Sequence, residues 1–123
     1  MSQKILFIDD EADVVEFQKS YLTKRGYTIF TATNTQDALE TIKNESLDLA
    51  FCDIKLENTT SGFDILTQAK KLKPNLTVYL ITGYLDKDVE DKGLALGAKE
   101  VLHKPFSLED LEQKIKESIP ESR

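Results

Sequence analysis

The chain has 123 residues, 40% of them hydrophobic and 31% charged, and its formal net charge is -6. This length suits one globular domain over residues 1–123 and leaves no room for a second. An acidic surface repels phosphate backbones and anionic lipid, so direct nucleic-acid or membrane binding is not expected. No segment approaches the roughly 18 apolar residues of a membrane span, and no leader precedes the first strand, which together predict a cytoplasmic setting. The single cysteine, Cys52, permits no internal disulfide and is interpreted as a small buried hydrophobe.

Strand-like and helix-like segments alternate along the chain. Short apolar runs predict strands over residues 5–8, 27–32, 47–52, 76–81 and 100–102. Helical spacing predicts a first helix over 12–25, a second after Asn34, a third ending before Pro74, a weak fourth over 86–96 and a fifth from Ser107. Five β-α units with right-handed crossovers predict an α/β fold, namely a flavodoxin-like doubly wound parallel sheet with strand order 2-1-3-4-5.

Local signals refine these helices. Gly26 occupies a position typical of a left-handed helix cap, and Ser107 with Asp110 resembles a capping box. In the first helix, Val14, Phe17, Tyr21 and Leu22 recur at helical spacing. Of these, Phe17, Tyr21 and Leu22 are interpreted as core. The fourth helix has little apolar face and is therefore a candidate moving element.

Four of the predicted strands end on residues that can handle a phosphoryl group. Asp9 and Asp10 follow the first strand, Asp53 the third, Thr82 the fourth and Lys104 the fifth. Because the carboxyl ends of parallel strands share one edge, where such folds bind ligands, these residues are expected to form one site.

The carboxylates at this edge need a cation to offset their mutual repulsion. Each pair of the three carboxylates would repel by about 4 kcal/mol at 4 Å and an effective dielectric near 20. A hard divalent ion such as Mg²⁺, or Mn²⁺, fits because it takes oxygen ligands, and Lys104 adds a point charge. Asp53 is then the best candidate nucleophile, since a carboxylate forms an acyl phosphate where cations offset the incoming charge, with Thr82 and Lys104 on phosphoryl oxygens.

Four short motifs give the whole chain a family resemblance. IDDE at 8–11, CD at 52–53, ITGY at 81–84 and HKPF at 103–106 resemble the signatures of response-regulator receiver domains of two-component signalling, in the same order and at similar separations. The resemblance implies a phosphorylation-activated signalling switch rather than a turnover enzyme. Its phosphoryl donor would be a sensor histidine kinase or histidine phosphotransfer protein.

The resemblance also implies particular roles. Asp10, Asp53 and the backbone carbonyl of Lys55 would contact Mg²⁺, with Asp9 acting through water. A cis peptide bond is expected before Pro105. Phosphorylation would change the surface of the fourth helix, fifth strand and fifth helix, which controls a partner or an output domain and in this family can form a homodimer.

Two features depart from the family pattern. Val101 stands where receivers usually carry an aromatic residue coupled to the threonine, so the fourth helix and its entry loop are expected to carry more of the change. The loop from Lys55 reaches Gly62 one residue later than usual and lacks a proline. The resemblance also implies that Lys55 and Tyr84 occupy the two positions that tune the lifetime of the phosphoryl group in this family, and Tyr84 is expected to shield that group from water.

Two other classes of function stay open beside the switch. The first is a receiver-like interaction module that works without phosphorylation. Val101 and the altered loop are the features that support this hypothesis. The second is a phosphatase with Asp9 as nucleophile. Such enzymes have an aspartate two residues after the nucleophile, where this chain has Glu11. His103 is interpreted as an exposed neighbour of the site. The cognate kinase and the regulated process cannot be read from these residues.

Overall fold

The computed structural model describes residues 3–56, 61–83 and 87–118. Strands and helices alternate as predicted. The elements are β1 (Lys4–Ile8), α1 (Ala12–Thr23), β2 (Thr28–Ala32), α2 (Thr35–Asn44), β3 (Leu49–Asp53), α3 (Ser61–Leu72), β4 (Thr77–Thr82), α4 (Lys87–Ala95), β5 (Glu100–His103) and α5 (Leu108–Ser118). No helix in these ranges is long and apolar enough to cross a bilayer. The predictions for Tyr84 and for residues 57–60 of the loop after β3 fall outside the described residues.

The five strands form one parallel sheet in the order β2-β1-β3-β4-β5, so the predicted strand order is confirmed. β3 lies in the centre, and all five of its residues are buried. Its apolar sequence follows from this position, because a strand covered by helices on both faces exposes neither set of side chains to water. Asp53 is its last residue, and it reaches the edge of the sheet beside Ile81 of β4.

Each face of the sheet carries its own hydrophobic core. Alternate residues of the strands point to opposite faces, so Leu6 and Ile8 join the core under α2, α3 and α4, whereas Ile5 and Phe7 join the core under α1 and α5. On the α1 and α5 side, Phe7, Phe51 and Tyr79 stack across three strands with ring centroids 5.1 and 4.8 Å apart. These cross-strand stacks fix the register of the central strands, at about 1 kcal/mol per pair beyond simple burial.

The predicted helix caps are confirmed where they are described. Gly26 follows α1 with a φ of 99°, the left-handed conformation that glycine adopts without steric cost. Ser107 and Asp110 form the capping box of α5: the Asp110 amide donates to Ser107 Oγ at 3.0 Å, and the Ser107 amide donates to Asp110 Oδ2 at 3.2 Å.

The predicted inner face of α1 is partly wrong. Phe17, interpreted as core, is 68% exposed, while Val15, Gln18 and Leu22 face the sheet. The apolar residues of this helix are spread over more than one face, so their spacing did not determine which face turns inward. Leu72 and Leu94 are 42% and 45% exposed, and each lies in the last turn of its helix.

Gly62, in the first turn of α3, lies directly against the end of β3. A β-carbon at this position would overlap the carbonyl oxygen of Asp53 and would lie 2.5 Å from the α-carbon of Ile54. The Gly62 amide also donates to the Ile54 carbonyl at 2.9 Å. Because both contacts are backbone, neither can turn aside as a flexible side chain would. The absence of a side chain at Gly62 therefore lets α3 start beside Asp53.

We expect Gly62→Ala to lower the free energy of unfolding by about 2 to 3 kcal/mol, since overpacking against fixed backbone forces α3 away from β3. Urea denaturation monitored by circular dichroism measures the loss. Gly83→Ala is the matched control, because nothing lies within 4 Å of a β-carbon there. The control should stay within about 1 kcal/mol of the parent chain. Equal losses in the two variants would contradict the close approach at Gly62.

Candidate functional site

The predicted site residues come together at the carboxyl edge of the sheet. β1 ends at Ile8, so Asp9 and Asp10 lie beyond its regular backbone, and Asp53 and Thr82 are the last residues of β3 and β4. Lys104 directly follows β5, and its amide donates to the Thr82 carbonyl at 2.8 Å. The parallel sheet thus assembles residues that lie up to 95 positions apart in the chain, Asp9 and Lys104 being the extremes.

The ammonium of Lys104 lies between two buried carboxylates. Its Nζ donates to Asp53 Oδ2 at 2.9 Å and lies 3.6 Å from Asp9 Oδ2. Only 6% of Asp9 and 7% of Asp53 is exposed. Partial burial of the Lys104 ammonium lowers its pKa, but the hydrogen bond to Asp53 and the charges of Asp53 and Asp9 outweigh this effect, so its pKa is raised. Lys104 therefore stays protonated at neutral pH and partly cancels the repulsion between the two acids.

Asp9 is a buried carboxylate with an altered pKa. Burial raises its pKa above the usual value, and the backbone amide of Glu11 and the Lys104 ammonium only partly offset this. The Glu11 amide donates to Asp9 Oδ1 at 3.0 Å, and the Lys55 amide donates to Asp53 Oδ1 at 3.2 Å. Each carboxylate therefore has one oxygen on a backbone amide and the other oriented to Lys104.

The remaining predicted residues lie at the same edge with different exposure. Thr82 is 2% exposed, whereas Asp10 and Lys55 are exposed to solvent. Within the described residues, no three acidic, histidine or cysteine side chains form a metal-binding group, so the carboxylates do not close into a three-ligand cluster. The donor chemistry nevertheless fits Mg²⁺, which is typically held by one or two carboxylates together with waters and a phosphate oxygen. The desolvated Asp9 is a carboxylate that a nearby divalent cation would stabilise.

Val101 occupies a tightly filled space beneath α4. Its side chain is 4% exposed and belongs to the same core as Leu80 and Phe63. A β-carbon on Gly93 would lie 3.0 Å from Val101 Cγ2 and 2.8 Å from Leu80 Cδ1. α4 therefore approaches the sheet closely through a glycine, and Val101 fills the gap from below. A branched side chain packed in this way already points inward, so it does not rotate from an outward to an inward position.

Three smaller predictions have definite outcomes. The peptide bond between Lys104 and Pro105 is cis, as the resemblance implied. Cys52 is fully buried, and burial followed by the nearby charges of Asp53 and Asp9 raises the pKa of its thiol, so it is not a nucleophile in the folded chain. His103 is partly buried rather than exposed, because it is the last residue of β5 and pairs with Thr82 in the sheet.

One feature near the site was not predicted from the sequence. Gln18 of α1 is 8% exposed, and it lines a groove that also contacts Asp9 and Lys104. Its position three residues after Val15 and four before Leu22 places it on the inner face of α1, and that spacing was the available signal. The signal was missed because the more apolar Phe17 was assigned to the core instead.

The fold is a five-stranded doubly wound α/β domain, a class that binds ligands at the carboxyl edge of the sheet, where this chain has two buried acids and a lysine. Residues 5–116 match the family model of the response regulator receiver domain. The chain therefore belongs to the receiver domain family of two-component response regulators.

Individual relatives agree with this assignment. The chain is 30% identical over 120 residues to sporulation initiation phosphotransferase F of Bacillus subtilis, covering 98% of this chain and 96% of that protein. It is 36% identical to the regulatory protein VanR of Enterococcus faecium, covering 97% of this chain but only 51% of VanR. The chain thus spans about half the length of VanR.

Solved structures show the same fold. A CheY-like receiver domain from Methanospirillum hungatei has a TM-score of 0.89 at 33% identity, covering 95% of this chain and 93% of that one. The response regulator TrrA from Thermotoga maritima, solved with Mg²⁺ and BeF, has a TM-score of 0.82 at 29% identity, covering 95% and 99%.

We expect Asp9→Asn to raise the thermal midpoint of the chain at pH 7 in EDTA. Burial raises the pKa of Asp9 in the folded state above its ordinary value of 3.8, so ionising it costs more in the folded than in the unfolded chain. The stability associated with the protonated form is present at low pH and is lost as pH rises from 3.8 through the folded pKa. Asparagine avoids this loss, so the gain should shrink at and below pH 4.

The exposed Asp13→Asn in the first turn of α1 is the control for this comparison, and it should gain no stability. Thermal denaturation from pH 3 to pH 8 measures both variants. A lower midpoint for Asp9→Asn than for the parent at pH 7 would show that its contacts outweigh its desolvation.

Proposed function

We propose that this receiver domain accepts a phosphoryl group on Asp53, in a Mg²⁺-dependent reaction, from a sensor histidine kinase or histidine phosphotransfer protein. The observation that carries the proposal is the 2.9 Å contact between the Lys104 ammonium and Asp53 Oδ2 at the ligand-binding edge of the sheet. An ammonium that contacts the acceptor oxygen is positioned to stabilise the negative charge of an incoming phosphoryl group. The relative from Bacillus subtilis, which matches over nearly its whole length, is named a phosphotransferase.

The roles of the individual residues follow from their positions. A carboxylate oxygen of Asp53 attacks phosphorus, and the bond from phosphorus to the donor nitrogen breaks. Lys104 then pairs with one phosphoryl oxygen, and the hydroxyl of Thr82 donates to another. Asp53 rather than Asp9 is the acceptor, because the Lys104 ammonium lies 2.9 Å from Asp53 Oδ2 and 3.6 Å from Asp9 Oδ2.

Mg²⁺ would be held by Asp10, Asp53 and the backbone carbonyl of Lys55, with Asp9 acting through water. When bound, the ion neutralises charge on the transferring phosphoryl group. Asp10 and Lys55 are exposed, as ligands of an ion that keeps several waters should be. The receiver TrrA, solved with Mg²⁺ and BeF, is a structural neighbour that supports this choice of ion.

The response to phosphorylation would be read on the surface of α4, β5 and α5. α4 is the helix least anchored to the core, since Gly93 is its one buried residue among those that the structure describes. Since Val101 is packed inside, we infer that displacement of α4, rather than rotation of a ring at that position, carries the change. A difference of a few kcal/mol between the two states suffices for such a switch.

The surface of α4, β5 and α5 would contact a downstream protein, an attached output domain or a second copy of the chain in the cytoplasm. VanR, in which the receiver-like part is about half of the protein, supports an attached output domain, and the Bacillus subtilis relative supports a stand-alone one. Tyr84 remains a predicted shield of the acyl phosphate, which faster decay of the adduct in Tyr84→Ala would reveal.

We expect the chain to gain one phosphoryl adduct when incubated with Mg²⁺ and acetyl phosphate, and intact-mass spectrometry measures it. Asp53→Asn should gain none, because an amide oxygen cannot form the acyl phosphate. Asp91→Asn, which removes an exposed carboxylate of α4, should label like the parent. No adduct on the parent would favour the interaction module that works without phosphorylation. Repeated phosphate release lost in Asp9→Asn would instead favour the phosphatase.

A further inference from the structure

The two edge strands of the sheet differ in charge. β2 and β5 are the outer strands of the order β2-β1-β3-β4-β5. β5 begins with Glu100, ends with His103, and lies between Lys99 and Lys104. Charged side chains of this kind discourage a further strand from pairing with an exposed edge. Residues 27–36, which contain β2, include neither a charged residue nor a proline, although 31% of the chain is charged. β2 is therefore the unprotected edge.

The backbone of β2 bonds to its neighbour on one side only. The amide of Thr28 and the carbonyl of Ala32 bond to residues that flank β1, at 2.9 and 3.2 Å. Successive residues of a strand direct their backbone groups to opposite sides, so Ile29 and Thr31 direct theirs away from β1. Among the described residues, no further strand lies on that side. The amides and carbonyls of Ile29 and Thr31 thus form a row of donors and acceptors at the open edge.

The side chains of β2 suit pairing with an identical strand. Phe30 is the central residue of β2, and it is half-buried on the face covered by α2. In an antiparallel pair centred on Phe30, Ile29 lies opposite Thr31 of the second copy, and these two residues exchange both of their hydrogen bonds. The twofold axis repeats this exchange on its other side. The two Phe30 rings then lie side by side, which is a favourable cross-strand contact.

The charges of α1 agree with this twofold arrangement. One flank of α1 faces α5, because Arg25, just beyond the helix, pairs with Glu112 of α5 at 2.6 Å. Helical spacing places Glu16 and Lys19 on the opposite flank, towards the edge formed by β2, and both are exposed. The midpoint of α1 lies between these two residues. Two antiparallel copies of α1 therefore bring Glu16 of each copy towards Lys19 of the other, and this complementarity selects a second copy of the chain as the partner.

We propose that the chain forms a homodimer by antiparallel pairing of β2 with β2 of a second copy, which joins two five-stranded sheets into one. This interface lies at the edge opposite β5, so it leaves the surface of α4, β5 and α5 accessible. None of the pairing residues belongs to the phosphoryl site, and dimerisation is therefore independent of phosphorylation. Because the strands are antiparallel, the two phosphoryl sites lie at opposite ends of the joined sheet.

The test measures the dimer dissociation constant by sedimentation equilibrium over the micromolar range, in EDTA and without a phosphoryl donor, so the result does not depend on the function of Asp53. Thr31→Pro removes the outward amide but no hydrogen bond to β1, and an edge strand tolerates proline at such a position. Lys114→Glu is the control at the other edge, where it reverses the charge that pairs with Glu100 of β5 at 3.0 Å. Circular dichroism checks that each variant folds.

We expect the parent chain to dimerise and Thr31→Pro to raise the dissociation constant about a hundredfold, because the twofold axis removes two hydrogen bonds at once. Lys114→Glu should stay within about twofold of the parent. A parent chain that is monomeric throughout this range would overturn the proposal. So would a dimer that persists in Thr31→Pro or is lost in Lys114→Glu, since either result would place the interface elsewhere.

A charge exchange on α1 tests the twofold arrangement and keeps the proposal testable if Thr31→Pro does not fold. Glu16→Lys and Lys19→Glu each set like charges against one another twice in the dimer, so each should raise the dissociation constant about tenfold. The double variant restores both pairs with their signs exchanged and should return to within about twofold of the parent. A double variant as weak as either single variant would overturn the antiparallel pairing of the two copies.

Discussion

The ammonium of Lys104 between Asp9 and Asp53 is the interaction on which the rest of the site depends. Two carboxylates, each less than a tenth exposed, share one lysine, so the three groups together carry a formal charge of -1. Burial, more than repulsion from Asp53, raises the pKa of Asp9, and the Glu11 amide and the Lys104 ammonium only partly offset it. The resting site is thus electrostatically incomplete, which is the state in which it gains most from a divalent cation.

The parallel sheet makes this arrangement possible. Each strand of a doubly wound fold delivers its last residue to the same edge, while the two apolar faces are covered by helices and supply the stabilisation. The stacked rings of Phe7, Phe51 and Tyr79 hold the central strands in register below the site. Gly62 lets α3 begin against the Asp53 carbonyl, and Gly93 lets α4 approach Val101. Backbone packing at two glycines therefore sets the distance of both helices from the carboxyl edge of the sheet.

The sequence predicted the strand order and the convergence of the site because both depend on the order of elements. An apolar run followed by Asp53 or Lys104 predicts a strand that ends at the site, however the intervening helices pack. The sequence failed where two faces of one helix compete: Phe17 is more hydrophobic than Gln18, yet Gln18 is the buried one. Hydrophobic spacing could not choose, since Val14 and Val15 support either face. Nor could hydrophobic spacing reveal the fit of Val101 against Gly93, because these residues belong to different elements.

A double-mutant cycle on Asp53→Asn and Lys104→Met tests the central interaction most directly. Removing Lys104 from the parent leaves two buried carboxylates without a counter-charge, whereas removing it from Asp53→Asn leaves only Asp9. Urea unfolding in EDTA at pH 7 gives the free energies of the four chains. The account predicts that Lys104→Met costs at least about 1 kcal/mol more in the parent than in the Asp53→Asn background. Additivity within about 0.3 kcal/mol would show that Lys104 and Asp53 do not interact and would contradict the account.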